Sequence, residues 1–96
     1  MSTPLTLSTN RLDDGTVLLT VSGEIDLSNV STFARALTEA TRSGVTIVDL
    51  REVEYLDSGA INALFTHVDH IRIRVNPLLI PVLTISGLTG MVPTEL

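Results

Sequence analysis

The sequence predicts an α/β domain, in which helices cover a mixed sheet of four or five β-strands mainly on one face. Short apolar runs of strand length recur along the 96 residues, and stretches with apolar residues at helical spacing separate the later runs. Strands that are separated by helices need crossover connections, whereas the first two runs are joined by a short turn. The predicted order of elements is therefore β-β-α-β-α-β-α.

The first two strands are predicted to form an antiparallel hairpin. Leu5 and Leu7 alternate with polar residues, which is typical of a strand with one buried face. The turn signal Asp-Asp-Gly at residues 13–15 precedes a second apolar run at residues 17–21. Residues 22–23 are predicted to end the second strand.

A loop with two carboxylates is predicted to follow. Residues 23–26 read Gly-Glu-Ile-Asp, so that Glu24 and Asp26 lie on either side of an apolar residue. Ser28 is the predicted N-cap of the first helix, because its hydroxyl can accept from a free backbone N–H of the first turn. Gly44 is predicted to end this helix. Its apolar face consists of Val30, Phe33, Ala34, Leu37 and Ala40.

The centre of the chain predicts a buried strand and a second helix. Residues 45–50 are β-branched and apolar except for Asp49. Residues 51–56 are predicted to form a loop in which Val53 and Leu56 point inward. The period then changes to that of an amphipathic helix, with apolar positions at Ile61, Leu64, Phe65 and Val68.

The last predicted strand covers residues 70–75, with isoleucine and valine inward and two arginines outward. Asn76 and Pro77 resemble a cap followed by proline at the first helical position. Because Pro81 lacks a backbone N–H, the third helix should start late or kink. No element is predicted for residues 88–96. The apolar stripe of the third helix is Leu78, Leu79, Val82 and Leu83.

At this length the chain is predicted to be one domain, residues 1–96, with a modest core. The predicted inward positions are Val17, Leu19, Val21, Phe33, Leu37, Ile47, Val48, Leu50, Ile61, Leu64, Phe65, Ile73 and Leu83.

Composition excludes several classes of function. Eleven acidic residues against six arginines give a net charge of −5, whereas nucleic acid and anionic membranes attract basic surfaces. The chain has no cysteine, which excludes disulfides and thiolate metal sites. It has neither an apolar run of about eighteen residues nor the pattern of a signal peptide. A soluble cytoplasmic protein with a protein partner and no cofactor is expected.

Asp57 and Ser58 lie where the buried strand meets the second helix. A hydroxyl there is near backbone N–H groups that have no partner within the helix. One interpretation is that Ser58 or Asp57 is only an N-cap. The other is a phosphorylation switch, since such a position can hold an added phosphate dianion. The residues alone leave both open.

The sequence resembles the STAS domain, and within it the bacterial anti-sigma factor antagonists. Residues 23–26 match the family's Gly-Glu-hydrophobic-Asp loop, placed between a strand and a helix. Residues 49–58 match its strand, loop and phosphorylation motif, and residues 77–88 are similar to its third helix and the following turn. The three motifs occur in order, and the resemblance covers nearly the whole chain.

The resemblance implies a partner and a switch. In the family the serine directly after the aspartate, here Ser58, is phosphorylated by a partner serine kinase that is also the anti-sigma factor. The resemblance also implies that Asp26 lies beside that site on the partner surface. The partner-binding residues are then Glu24, Asp26, Asp57, Ser58 and Gly59, with a structural or capping role for Asp57. With this resemblance the switch is the favoured interpretation.

Three departures from the family pattern carry expectations. Gly59 and Ala60 stand where the family usually has Ser or Thr and then Gly. Residues 59–75 leave room for only a shortened second helix, and the chain ends where the family usually adds a last strand and a fourth helix. An exposed apolar patch near the ends of the second and third helices is therefore expected, with a homodimer as its cover.

Two enzyme hypotheses and one binding hypothesis compete with the switch. His67 and His70 have a spacing that could place two metal ligands on one helix face, but no third ligand has a clear position, so two solvated histidines are expected. Ser58 lacks the Gly-x-Ser-x-Gly turn of a hydrolase. No enzyme is predicted. The remaining alternative is a STAS binding or scaffold module, never phosphorylated, in a signalling or transport assembly.

Overall fold

The computed structural model describes residues 4–96; residues 1–3 of the predicted domain lie outside this range. Three 3₁₀ turns, Val68–His70, Pro77–Leu79 and Leu88–Gly90, lie between or after the main elements. In chain order the main elements are β1 (Thr6–Arg11), β2 (Val17–Ile25), α1 (Val30–Ser43), β3 (Thr46–Leu56), α2 (Ser58–Thr66), β4 (Ile71–Val75), α3 (Ile80–Ser86) and β5 (Thr94–Glu95).

The five strands form one mixed sheet in the order β1-β2-β3-β4-β5. β1 is antiparallel to β2, and every other neighbouring pair is parallel. Parallel connections are almost always right-handed, and the three here advance in one direction across the sheet, so the three helices share one face. The predicted fold class and the initial hairpin are confirmed.

The core lies between this helical layer and the sheet. Along β2, buried residues alternate with half-buried ones, as expected for a strand with one covered face. Phe33 and Leu37 of α1 and Leu64 of α2 are fully buried. All predicted inward positions are buried except Ile47 and Phe65. Ile47 is on the open face of the sheet beside Leu18, and Phe65 packs against the core only partly.

The predicted loop at residues 51–56 is wrong, because β3 continues to Leu56. Leu50, Val53 and Leu56 are buried at intervals of three, instead of the two of a regular strand. Register shifts opposite residues 20–22 and at residues 23–24 explain this interval. At each shift β3 carries one extra residue relative to β2, so the next buried position of β3 comes one residue later than in a regular strand.

The predicted end of β2 at residues 22–23 is also wrong. β2 runs to Ile25, so Glu24 and Ile25 are strand residues and only Asp26 of the predicted loop lies beyond the strand. Gly23 has φ +98° and lies at the second register shift. Only glycine adopts this conformation readily, so the strand continues through a residue that the sequence suggested as its end.

The ends of α1 are only partly as predicted. Ser28 is not the N-cap; Asn29 occupies that position, and its side chain makes no capping hydrogen bond to the helix. Gly44 follows the last helical residue, as predicted.

The third helix starts late, as Pro81 predicted. The Asn76 side chain accepts a hydrogen bond from the Leu78 backbone N–H, and Pro77 opens a 3₁₀ turn before α3 begins at Ile80. Half of the predicted inward stripe is wrong. Two of its four members, Leu79 and Leu83, are buried, whereas Leu78 is 74% and Val82 40% exposed.

Two further differences concern the histidines and the tail. His67 is half-buried at the end of α2, with its ring nitrogens 3.4 and 3.3 Å from the hydroxyls of Thr38 and Thr41 on α1. It is therefore not solvated as predicted, whereas His70 is exposed. The tail, for which no element was predicted, forms the two-residue strand β5 beside β4.

Candidate functional site

The candidate site lies at the carboxyl edge of the sheet. β2, β3 and β4 are adjacent and parallel, so the residues that follow them emerge at the same edge. These residues are Asp26, Asp57 and Asn76. In α/β sheets this edge, beyond the carboxyl ends of the strands, is the usual place for binding groups.

One backbone hydrogen bond joins the first two of these loops. Ile25 pairs with Leu56 at the end of the β2–β3 ladder, and the Asp57 N–H donates to the Ile25 carbonyl over 3.0 Å. Asp26 directly follows Ile25, and Ser58 directly follows Asp57. The backbone therefore brings the predicted site residues of the two loops to neighbouring positions.

The loop between β2 and α1 is held by a side chain that sequence reasoning missed. The Asn29 amide donates to the Glu24 carbonyl, and its oxygen accepts from the Asp26 N–H, both over 2.9 Å. No sequence signal marks these bonds, because an asparagine in a turn usually bonds the backbone two residues further on, whereas Asn29 bonds residues that precede it. Ser28 donates to the Asp26 carboxylate.

These contacts stabilise the charged form of Asp26. The hydrogen bond from the Ser28 hydroxyl, and then that from the Ser28 N–H, lower the pKa of the Asp26 carboxyl. Asp26 is therefore an anion at neutral pH, fixed within its own loop. Its neighbour Leu27 is 86% exposed, an apolar side chain that the sequence prediction did not include.

Asp57 is the N-cap of α2. Its Oδ1 accepts from the Ala60 N–H over 3.0 Å, and its backbone carbonyl accepts from the Ile61 N–H over 3.2 Å. This contact shows the capping role that the sequence suggested for Asp57. The serine is thus not needed as a cap.

Ser58 is the first residue of α2, and it is exposed. Within residues 4–96 its hydroxyl has no hydrogen-bond partner. Because Asp57 binds the third amide of the helix, the N–H groups of Ser58 and Gly59 remain open at the positive end of α2. The hydroxyl and these amides together form a position that could carry a covalently attached anion.

Gly59 is in close contact with two neighbours. A Cβ at this position would lie 3.2 Å from the Asp57 Oδ1 and 3.2 Å from a Val30 methyl of α1. Any side chain there would therefore require the capping carboxylate or α1 to move by a few tenths of an ångström. α1 therefore packs closely against the start of α2 at this position.

The two described cavities lie away from this edge. One, of about 330 Å³, lies between β1 and the C-terminal half of α1, and the other, of about 240 Å³, is lined by residues including Val45 and Arg72. Neither is lined by a predicted site residue. Among residues 4–96 no cluster of three or more His, Cys, Asp or Glu residues could hold a metal ion.

Fold and site together define a small α/β domain that presents an exposed serine at the start of a helix, beside fixed carboxylates. The chain belongs to the STAS domain family, whose model matches residues 9–95. No curated protein matches the sequence. No helix of residues 4–96 is long and apolar enough to cross a membrane.

Several solved structures that share this fold are anti-sigma factor antagonists. One, from Mycobacterium paratuberculosis, is 21% identical, with a TM-score of 0.87 over 96% of this chain and 86% of its own. The anti-sigma factor antagonist SpoIIAA in its unphosphorylated form is 16% identical, with a TM-score of 0.74 over 95% of this chain and 89% of its own. The Bacillus cell fate determinant SpoIIAA in its phosphorylated form is 15% identical, with a TM-score of 0.68 over 95% of this chain and 92% of its own.

Proposed function

We propose that this protein is a cytoplasmic anti-sigma factor antagonist. It binds an anti-sigma factor that is also a serine kinase, and so frees the sigma factor. Phosphorylation of Ser58 by that partner switches it off. The contact surface consists of Glu24, Asp26, Asp57, Ser58 and Gly59, the predicted partner-binding residues.

The observation that carries this proposal is the exposed Ser58 hydroxyl beside a helix cap that another residue supplies. Because Asp57 caps α2, Ser58 can change its chemistry without loss of the cap. A phosphate there would lie next to the open amides of Ser58 and Gly59. The fold should therefore survive phosphorylation.

The partner contact, in contrast, should not survive it. A phosphate adds about −2 charges at neutral pH, next to the Asp57 carboxylate and near the loop that holds ionised Asp26. Added negative charge and bulk in a packed contact cost desolvation and repulsion. A loss of about 2.7 kcal/mol lowers affinity about a hundredfold.

The family membership and the neighbours support the same function. The chain belongs to the STAS family, and its fold is similar to that of SpoIIAA, which has been solved in a phosphorylated and an unphosphorylated form. Since these identities are low, the serine itself must be tested in this chain.

The experiment is phosphorylation with ATP and each kinase-type anti-sigma factor of the source organism, followed by intact mass. One kinase should add a single phosphate to the parent protein and none to Ser58→Ala. Ser31, an exposed serine in the first turn of α1, gives the matched control: Ser31→Ala should be phosphorylated like the parent. Equal phosphorylation of Ser58→Ala would contradict the proposal.

One observation favours the scaffold alternative, in which Ser58 is never phosphorylated. The family's usual side chain after the serine does not fit here without movement, because position 59 lies against the Asp57 carboxylate and Val30. In that case the protein would bind a partner through the same edge, and no kinase would add mass to it. Binding that is unchanged by ATP, together with an unmodified Ser58, would identify this function.

A further inference from the structure

The half-buried ring of His67 joins the end of α2 to the C-terminal half of α1. Its Nε2 is 3.4 Å from the Thr38 hydroxyl, and its Nδ1 is 3.3 Å from the Thr41 hydroxyl. Thr38 and Thr41 lie about one turn apart on α1, so a single ring bridges both. This polar contact between two helices is separate from the residues of the proposed partner surface.

Both threonine hydroxyls already have acceptors for their protons. The Thr38 hydroxyl donates to the Ala34 carbonyl over 3.0 Å. The Thr41 hydroxyl donates to the Leu37 carbonyl over 2.9 Å, and it lies 3.1 Å from the Thr38 carbonyl. Each hydroxyl has only one proton, and these carbonyls are closer to it than the ring nitrogens are. Toward His67, both hydroxyls therefore present lone pairs.

The protonation state of the ring decides how many hydrogen bonds this contact has. A neutral imidazole has one N–H group, so it donates to one threonine and leaves a lone pair that faces the other. An imidazolium has two N–H groups and donates to both. For a neutral ring to regain the second bond, a threonine would have to give up its bond to a backbone carbonyl. The charged ring therefore fits this position better than the neutral ring.

The place of His67 in the helix favours the same state. His67 is the C-cap of α2, next to the backbone carbonyls that make the end of a helix negative. The last turn of α2 has no basic residue of its own. A positive charge on the His67 ring is therefore favourable at this end of the helix.

We propose that His67 is a pH-sensitive link between α1 and α2. Histidine is the side chain that ordinarily gains a proton as the pH falls from about 8 to about 5. In that range the ring acquires its second N–H group, so it donates to both threonines and holds the end of α2 against α1. The unfolded chain has no such contact. The free energy of unfolding should therefore gain a contribution as the pH falls and lose it as the pH rises.

The threonines are the partners of this ring, and no carboxylate competes with them. Among residues 4–96 the ion pairs join Glu39 to Arg42 and Asp49 to Arg51, and neither pair includes His67. The side chains of Glu39 and Arg42 are 67% and 72% exposed. Further charged or titratable residues on α1, on β3 and in the 3₁₀ turn after α2 are also exposed, namely Arg35, Glu52, Glu54, Asp69 and His70.

Thermal unfolding at about pH 8 and about pH 5.5 tests the proposal. Thr41→Val keeps the shape of the side chain but removes one acceptor, so that the charged and the neutral ring each make one bond. The melting temperature of the parent should therefore rise by about 2–8 °C more than that of Thr41→Val as the pH falls. Thr41→Ser keeps the hydroxyl and should behave like the parent.

The two histidines give the matched control. His67→Gln should lose the additional rise, and adding Thr41→Val to it should have no further effect on the pH dependence. His70 is exposed three residues further on, so His70→Gln should keep the rise of the parent. An equal rise in the parent and in Thr41→Val, or a rise that His70→Gln removes and His67→Gln does not, would overturn the proposal.

The link and the candidate serine lie at opposite ends of α2. Unfolding is measured with this chain alone, whereas phosphorylation is measured at Ser58 with a kinase. Failure of one experiment therefore leaves the result of the other unchanged.

Discussion

The carboxyl edge around Ser58 and the outer face of α3 are two surfaces of one small domain that differ in the side chains they expose. At the edge, side-chain and backbone hydrogen bonds fix both loops, and Asp26 and Asp57 lie there as acceptors. On α3, apolar side chains are exposed within a stretch that has no charged residue. A change of charge should thus alter binding at the edge, whereas the same change on the outer face of α3 should not.

The largest expected effect distinguishes the two faces of α3. Leu83→Ala removes a fully buried side chain and should lower the free energy of unfolding by about 2–5 kcal/mol. Val82→Ala, one residue away on the exposed face, should cost less than about 1 kcal/mol. Urea unfolding of both variants measures the difference. Equal losses would mean that the two faces of α3 do not differ in burial.

The next effect concerns the edge. Ser58→Asp adds one negative charge, about half that of a phosphate, so partner affinity should fall at least about tenfold while the melting temperature changes little. Ile85→Asp adds the same charge on α3 and should leave partner affinity unchanged. Titration calorimetry with the partner compares the two. An equal loss in both variants would place α3 in the partner interface.

A smaller effect tests the division of roles at the start of α2. Asp57→Ala should destabilise the protein by about 1 kcal/mol, because the Ala60 N–H loses its acceptor. Asp57→Asn keeps an acceptor oxygen and should recover most of that loss. Ser58→Ala should leave the melting temperature nearly unchanged. If Ser58→Ala were the more destabilising change, the serine would be the cap.

The pH dependence of unfolding tests a charge on the open face of the sheet. Asp49 is 7% exposed and accepts from the Arg51 guanidinium over 2.8 and 3.0 Å. These hydrogen bonds lower the pKa of the Asp49 carboxyl in the folded protein. The carboxylate therefore stabilises the fold at pH values above its unfolded pKa of about 3.9, and this stabilisation is lost as pH falls through the lower folded pKa. Between about pH 5 and pH 3, stability of the parent should fall more than that of Asp49→Asn.

The smallest effect is expected at Gly59. An alanine gains up to about 1 kcal/mol of helix propensity, and its Cβ meets the Asp57 carboxylate and Val30 at 3.2 Å. These opposing effects should leave Gly59→Ala within about 1 kcal/mol of the parent, whereas Gly59→Thr, with more atoms to place, should be clearly less stable. Thermal unfolding of both variants measures this. A stabilised Gly59→Thr would show that the contact relaxes freely.

Local patterns predicted the elements that follow one simple period. The alternation in β2 and the spacing of Phe33 and Leu37 in α1 each report a single regular face, and both were interpreted correctly. The third helix was harder, because its four apolar residues were assigned to one face. They form two pairs at spacing i, i+4, Leu78 with Val82 and Leu79 with Leu83. The two pairs point about 100° apart, and only the second faces the core.

The site was predicted as a set of positions but not as a geometry. The sequence indicated Asp57 and Ser58 at the start of a helix, and Asp57 is its cap. It could not indicate Asn29, whose hydrogen bonds join positions on both sides of the loop and become visible only when the chain has turned. It also could not show how close α1 lies to Gly59, because that contact exists only in the fold.

The two register shifts of β3 have a consequence for the position of the serine. A β-bulge takes up one extra residue, so the pairs beyond it keep their facing: Val53 lies opposite Gly23 and Leu56 opposite Ile25. Deletion of Glu54 would remove the second bulge and leave Leu56 as the second residue after Val53, still on the core face and still opposite Ile25. The same length of sheet holds eleven residues of β3 against nine of β2. Loss of one residue at a bulge should therefore leave Ser58 level with Asp26.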